Sequence, residues 1–138
     1  MLVQAQAKHI AGDLAWIEGE ASRLPVSDSH FDIVVCANSF HYFRQPLDCL
    51  QEFHRCLAPT GKFVLVDWCD DYLLCKIFSF WLKFSDPAFF RIYTMRTCRE
   101  MFQRAGFHVD HSECFRVSWL WGMMMFVCEK RASTAVSS

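Results

Sequence analysis

Runs of apolar residues alternate with polar breaks along the chain, and each run has a length typical of one strand or one helix. FDIVVCA (Phe31–Ala37) is nearly continuous in β-branched and apolar side chains, which predicts a central parallel strand covered on both faces. KFVLVDW (Lys62–Trp68) repeats this pattern. Between them, apolar residues recur at helical spacing from Leu47 to Leu57. Strand, helix and strand in this order predict a right-handed parallel βαβ unit.

Weaker patterns predict further elements on both sides of this unit. The Ala- and Gln-rich residues Met1–Ala11 are typical of the end of a helix, and LAWIEG (Leu14–Gly19) of a short buried strand. Tyr72–Phe84 is a strongly aromatic helix candidate.

The last part of the chain predicts a helix followed by two strands. Thr97 and Glu100 have the spacing of a capping box, and the helix that they begin is expected to end at Gly106. His108–Trp119 and Met123–Lys130 predict an antiparallel pair.

Composition limits the class of protein. The chain has 138 residues, 53% of them hydrophobic, enough for one domain, which we place at residues 1–130 with a disordered tail at 131–138. A net charge of −1 without a basic cluster argues against nucleic acid as a partner. Eight cysteines show no C-x-x-C pair or zinc pattern, so we expect no metal and interpret them as buried thiols of a cytoplasmic protein.

No transmembrane segment is predicted. Tyr72–Phe84 contains Lys76 and Lys83, and Trp119–Cys128 has only ten residues, against about twenty for a spanning helix.

Four motifs follow one another in a fixed order: GEASRLPVSDSHFDIVV, SFHYF, FHRCLAPTGKFVLVDW and MFQRAGFHV. The ordered set resembles the class I S-adenosylmethionine-dependent methyltransferases with a Rossmann-like fold, in particular those that act on small molecules. The corresponding family patterns are G-D-A-x-x-L-P-F-x-D-x-x-F-D-x-V, Leu-His-His, ARVLKPGG and LLxxAGF. The resemblance extends from about the first residue to Lys130, and it implies S-adenosylmethionine as cofactor and a small molecule as methyl acceptor.

The resemblance implies roles for residues in two loops. Glu20 would accept a hydrogen bond from the adenine amine, and the backbone N–H of Ala21 would meet the adenine ring. Asn38 and Phe40 leave the strand end that faces the cofactor, so we expect them to contact it. His41 is the candidate catalytic base, to be weighed against a loop histidine satisfied by the backbone.

Further residues are expected to face the methyl acceptor. Tyr42 would orient it, and Trp68, at the end of the next predicted strand, would either touch it or close the core, as would Asp67. The aromatic helix stands where the family has its substrate lid, so Phe80 and Trp81 are predicted to line an apolar or aromatic acceptor site, although core packing would also explain them.

The family's Gly-rich turn and the acid that holds the ribose are not found in this sequence. No two of its glycines are close enough for a G-x-G loop; they stand at positions 12, 19, 61, 106 and 122. The same absence argues against a dinucleotide-dependent oxidoreductase. We therefore predict an α/β fold that is a partial Rossmann-like methyltransferase fold, with a mostly parallel sheet, a C-terminal antiparallel hairpin and the first two strands missing.

Two functional hypotheses follow. In the first, these residues are the carboxyl-terminal portion of a longer small-molecule methyltransferase and are inactive alone. In the second, a non-catalytic methyltransferase-like protein binds a partner, or another copy, through an exposed strand edge and the aromatic helix. The edge of Phe31–Ala37 would be open unless Leu14–Gly19 shifts across to pair with it or another chain supplies strands.

Overall fold

The computed structural model describes residues 14–71, 77, 91–117 and 122–131. Within them the chain forms four strands, two α-helices and a short 3-10 turn. In chain order these are β1 (Phe31–Ala37), the 3-10 turn (Phe40–Tyr42), α1 (Pro46–Cys56), β2 (Leu57–Trp68), α2 (Met95–Arg104), β3 (Phe107–Arg116) and β4 (Gly122–Lys130). The predicted helix Met1–Ala11 lies outside the described residues, as do nearly all of Tyr72–Phe84 and of the tail.

The four strands form one sheet in the order β1-β2-β4-β3. β1 and β2 are parallel, with Ala37 opposite Val66, and α1 connects them as predicted. β4 lies between β2 and β3 and is antiparallel to both, which confirms the C-terminal hairpin. The α/β fold class is confirmed, while the described sheet is less parallel than expected, because the central position of β4 makes two of its three pairings antiparallel.

β2 begins five residues earlier than predicted. Gly61 lies inside the strand. A Cβ atom at position 61 would lie 3.0 Å from the carbonyl oxygens of Ala58 and Phe31, so this crowded start of the β1–β2 pair favours glycine.

Both α-helices pack on the same face of the sheet and form one core. Large aromatic side chains fill it, with Phe63 in contact with Phe53 of α1 and with Phe102 of α2. Phe102 also packs edge-on against Phe126 of β4, with ring centroids 4.9 Å apart. Burial of these rings from water supplies the main driving force for this half of the fold.

The other face of the sheet and the outer edge of β1 are open within the described residues. Ile33 and Val35, on that face of β1, are each 62% exposed. The predicted central position of β1 is wrong for this part of the chain, since β1 pairs with β2 alone there. Within the described residues the outer edge of β1 has no strand neighbour, so the predicted open edge stays a prediction for the chain as a whole.

The predicted strand at Leu14–Gly19 is wrong. These residues have no strand assignment, and Leu14 and Ile17 are more than half exposed. A strand exists only where its backbone groups pair with a neighbour, and in the described structure no strand lies beside this segment.

The predicted helix near the carboxyl end is confirmed, but its start lies earlier. The N-cap is Thr94, and Thr97 belongs to the first turn of α2, where its backbone N–H donates to Thr94 Oγ1 at 3.2 Å. Gly106 ends the helix as predicted, with φ of +90°, a left-handed conformation that glycine adopts without strain.

The cysteines are mainly buried thiols, as predicted. Seven lie in the described residues and all are free; Cys114 is the exception, because it is exposed on β3. No helix in the part of the chain that the structure describes is long and apolar enough to cross a membrane. The same residues contain no cluster of three or more potential metal ligands.

Candidate active site

The carboxyl ends of β1 and β2 lie side by side and form the rim at which an open α/β sheet binds its ligands. Asn38 follows β1 with φ of +49°, and its backbone N–H donates to the carbonyl oxygen of Val66 at 2.9 Å. This left-handed residue turns the chain sharply out of the strand and into the 3-10 turn. Asn38 itself is exposed at the rim, where the resemblance places a cofactor contact.

Asp67, at the end of β2, is the centre of the rim. Its side chain is 1% exposed, and its Oδ2 atom accepts the backbone N–H groups of Phe40 at 2.7 Å and His41 at 3.2 Å. Its Oδ1 atom accepts the N–H of Trp68 at 2.7 Å and lies 2.6 Å from His41 Nδ1. Several donors compensate the desolvated carboxylate, and together they fix the 3-10 turn to the end of β2.

His41 is held from two sides. Its ring stacks on Trp68, with centroids 4.5 Å apart and planes 12° apart, and it contacts the Tyr42 ring at 4.2 Å. The Asp67 carboxylate selects the tautomer with hydrogen on Nδ1, so Nε2 carries the lone pair that a base requires. However, only 2% of His41 is exposed, so its role as catalytic base stays a prediction.

Phe40 lies in the core rather than at the rim surface. Its side chain is fully buried and packs against Phe43 and Tyr93, while its backbone N–H is bound to Asp67. Its ring is therefore not accessible at the rim surface, and contact between Phe40 and the cofactor stays a prediction. The loop sequence alone could not show which side of the turn would face inward.

The other predicted cofactor residues lie in a loop near the start of α1. The carbonyl oxygen of Glu20 accepts the backbone N–H of Arg23 at 2.9 Å, which closes a turn with the Glu20 side chain exposed and Ala21 partly buried against the core. Burial, together with the Asp48 and Glu20 carboxylates, raises the pKa of the Cys49 thiol to about 11. The Glu20 turn is therefore close to the first turn of α1.

The predicted acceptor-facing residues are partly accessible. Tyr42 is 42% exposed and Trp68 is partly buried, and the His41 ring connects them. Phe80 and Trp81 lie outside the described residues. For Asp67 the alternatives were contact with the acceptor and closure of the core. Its carboxylate is inside the protein and bonds to the chain itself, which favours closure of the core.

The thiols near the rim do not act as nucleophiles at neutral pH. Burial raises the pKa of Cys36 to about 11, although a hydrogen bond with Ser39, 3.3 Å away, lowers it somewhat. Cys36 and Cys49 therefore remain protonated, and a thiolate mechanism at this rim is unfavourable.

Side chains of α1 hold the loop before β1, and these contacts were not among the predicted ones. Leu24 donates its N–H to Glu52 Oε1 at 2.7 Å, and Arg55 bonds to the carboxylates of Glu52 and Asp28. The Arg55 guanidinium holds the pKa of Glu52 below its usual value. The spacing of Glu52 and Arg55 on one helix face was the available signal, but the loop partner is distant in sequence.

The methyltransferase domain family matches residues 1–65 of this chain. Over this part of its length the chain resembles the class I S-adenosylmethionine-dependent methyltransferases. It is 36% identical over 87 residues to the mitochondrial 2-methoxy-6-polyprenyl-1,4-benzoquinol methylase of Rattus norvegicus, a match that covers 63% of this chain and 22% of the relative. It is 38% identical over 65 residues to the demethylmenaquinone methyltransferase of Deinococcus radiodurans, covering 47% and 26%. The chain thus spans about a quarter of the length of these relatives.

Solved structures support the same fold. An S-adenosylmethionine-dependent methyltransferase from Mesorhizobium loti superposes with a TM-score of 0.73 at 16% identity, covering 94% of this chain and 76% of that one. A chain from the complex between the Haloferax volcanii Trm112 methyltransferase activator and a methyltransferase gives 0.81 at 20% identity, covering 95% and 67%. The cofactor of the family is S-adenosylmethionine.

The residues present fit only part of that cofactor. The exposed Glu20 carboxylate offers an acceptor for an exocyclic amine, and Asn38 is exposed where the chain leaves β1. No G-x-G turn is found in the sequence, so a glycine loop for the cofactor's methionine and ribose parts has no counterpart here. That Glu20 and Ala21 meet the adenine, and that Tyr42 and Trp68 face the acceptor, therefore stays a prediction.

Proposed function

We propose that these residues form the carboxyl-terminal part of a longer enzyme that transfers a methyl group from S-adenosylmethionine to a small apolar or aromatic acceptor. The observation that carries the proposal is the rim, where buried Asp67 fixes the 3-10 turn and so positions Tyr42 and Trp68. Two aromatic rings at the carboxyl ends of parallel strands suit a flat, apolar ligand.

Methyl transfer requires little of the protein beyond alignment of the acceptor with the cofactor. The cofactor, when bound, supplies an electrophilic methyl group on a sulfonium sulfur. The chain's own residues would orient the acceptor and exclude water, and His41 would take a proton where the acceptor must lose one. The similar enzymes named for benzoquinol and demethylmenaquinone substrates support an aromatic or quinoid acceptor for this chain.

Activity of the chain alone is not expected. Each lost hydrogen bond to a charged group costs roughly 1.5–3 kcal/mol, so a site without the glycine turn and ribose acid forgoes most of its affinity. We place the protein in the cytoplasm on the basis of its free, mainly buried cysteines.

Calorimetric titration with S-adenosylhomocysteine tests the proposal. We expect no micromolar binding by the chain alone and binding when it is joined to an upstream segment that carries a G-x-G turn. In the joined protein, Glu20→Ala should weaken binding about tenfold or more, whereas the exposed Glu18→Ala should not. Micromolar binding of S-adenosylhomocysteine by the chain alone, as a monomer, would contradict the expected loss of the cofactor site. Equal affinities of the two variants would refute the role of Glu20.

A second candidate function is supported by the open edge of β1. Ile33 and Val35 are largely exposed beside backbone groups that have no strand partner in the described residues. Such an edge is a template for pairing with another chain. In this alternative the protein does not catalyse and binds a partner or a second copy through β1.

A further inference from the structure

A cavity lies between α2 and the β3–β4 hairpin. Its volume is about 290 Å³, and polar side chains dominate its walls. We refer to it as the basic pocket; its lining residues are Arg99, Gln103, Phe107, His108, Val109 and Arg131.

The basic pocket is remote from the rim. Lys62 pairs with Glu129 and Asp67 with Met124 in the β2–β4 ladder, so the pocket beside the end of β4 and the rim lie at opposite ends of the strands. Five residues of strand separate Lys62 from Asp67, which corresponds to about 17 Å. A ligand in the pocket would therefore not occupy the methyl-transfer site.

Two guanidinium groups line the pocket. Among the described residues, neither Arg99 nor Arg131 forms an ion pair, although acids are close by. Those acids are engaged elsewhere: Glu129 binds Lys62 at 2.9 Å, and Asp110 lies 3.9 Å from the same ammonium group.

A further acid, on the same helix as Arg99, is also engaged, because Glu100 binds Arg96 at 3.0 Å. The pocket thus concentrates positive charge in a chain whose net charge is −1. Such a local excess of cations favours an anionic ligand.

The side chain of Arg99 and the backbone of Arg131 are held in place. Arg99 Nη2 donates to Ser112 Oγ at 2.6 Å, which fixes the guanidinium across to β3 while its remaining N–H groups can serve a ligand. Gln103 lies one helical turn after Arg99 and so on the same side of α2. The backbone N–H of Arg131 donates to the Gly106 carbonyl at 2.9 Å, which ties this residue to the turn after α2.

We propose that the basic pocket binds a phosphate group, either the free ion or the phosphate of a small phosphomonoester. Arg99 and Arg131 would bind its oxygens, and Gln103 and His108 would each donate a further hydrogen bond. Planar guanidinium groups match the oxygen spacing of phosphate, and the cavity has room for a tetrahedral oxyanion with a small substituent.

Titration of the full chain with inorganic phosphate at constant ionic strength, followed by calorimetry and by NMR of the arginine Nε–H groups, tests this site. We expect saturable binding that weakens about tenfold or more in Arg99→Ala and in Arg131→Ala, as for loss of a charged hydrogen bond. Arg96→Ala is the matched control, because it removes the same charge from the same helix outside the pocket, and it should bind as the wild type does.

Glycerol 3-phosphate and sodium acetate are the comparison ligands, and far-UV circular dichroism checks that each variant is folded. Tighter binding of the phosphomonoester indicates an esterified ligand, and equal binding indicates the free ion. Absence of saturation, equal binding of acetate, or equal losses in Arg96→Ala and Arg99→Ala would overturn the proposal. None of these readouts depends on methyl transfer or on S-adenosylhomocysteine binding.

Discussion

The Asp67 carboxylate accepts hydrogen bonds from three backbone N–H groups and faces the His41 ring, at a place that water barely reaches. Its environment explains why an acid can end a strand as apolar as β2. Deletion of the charge would leave the donors of the 3-10 turn without an acceptor, and a buried donor without a partner costs more than the bond itself contributes.

Asp67→Asn should destabilise the protein by about 3 kcal/mol or more, the usual cost of breaking a buried charged network. The amide can replace only one acceptor oxygen, and its NH₂ group would face backbone donors. Urea unfolding of wild type and variant measures the difference in unfolding free energy.

Asp32→Asn is the control for the change in charge, because Asp32 is exposed on β1. We expect it to shift the unfolding free energy by less than about 0.5 kcal/mol. Equal effects of the two substitutions would show that the Asp67 contacts do not hold the rim together.

The residue at which α2 begins depends on its N-cap and on contacts just before the helix. Thr94 has an extended backbone, as an N-cap requires, and its hydroxyl oxygen accepts the N–H of Thr97. The capping-box spacing of Thr97 and Glu100 suggested a later start. The choice depends on the approach of the chain, because an isolated bridge between Cys69 and Tyr93 fixes the residues just before the helix.

Thr94→Ala should therefore cost about 1 kcal/mol of stability, the typical value for removal of an N-cap side chain. Thr97→Ala, three residues later, should cost less, since the Thr97 side chain contributes only a bond to the Thr94 hydroxyl at 2.9 Å. Thermal unfolding of the two variants decides between the two boundaries. A larger loss in Thr97→Ala would restore the start expected from the sequence.

At the scale of the whole molecule, the sheet has helices on one face and an open edge at β1. The two functional hypotheses interpret that edge differently, as the place of missing strands or as a docking site. The backbone geometry makes it testable. Because Asn38 donates toward β2, the alternation of a strand directs the N–H groups of Val34 and Cys36 to β2 and those of Ile33 and Val35 outward.

Amide hydrogen exchange followed by NMR should thus show slow exchange at Val34 and Cys36 and fast exchange at Ile33 and Val35 in dilute protein. Protection of Val35 that grows with protein concentration would favour pairing of copies through β1. Protection of Val35 in dilute protein would contradict an open edge and would indicate that another segment of the chain covers it.

The sequence determined the local patterns of this protein. Continuous apolar runs identify β1, β2 and β4, helical spacing identifies α1, and Gly106 marks the end of α2, because each of these depends on neighbours in the chain. The same local motifs, read in order, were sufficient to predict the methyltransferase family and its cofactor.

Only the tertiary structure decided the arrangement of the site. It buried Phe40, bound Asp67 to the turn that contains His41, and gathered Arg99 and Arg131 around one cavity, although these residues are far apart in sequence. It also left Leu14–Gly19 outside the sheet, since an apolar run becomes a strand only beside a strand to which it can bond. Burial, partner choice and local charge arise from contacts between distant segments, which no local pattern specifies.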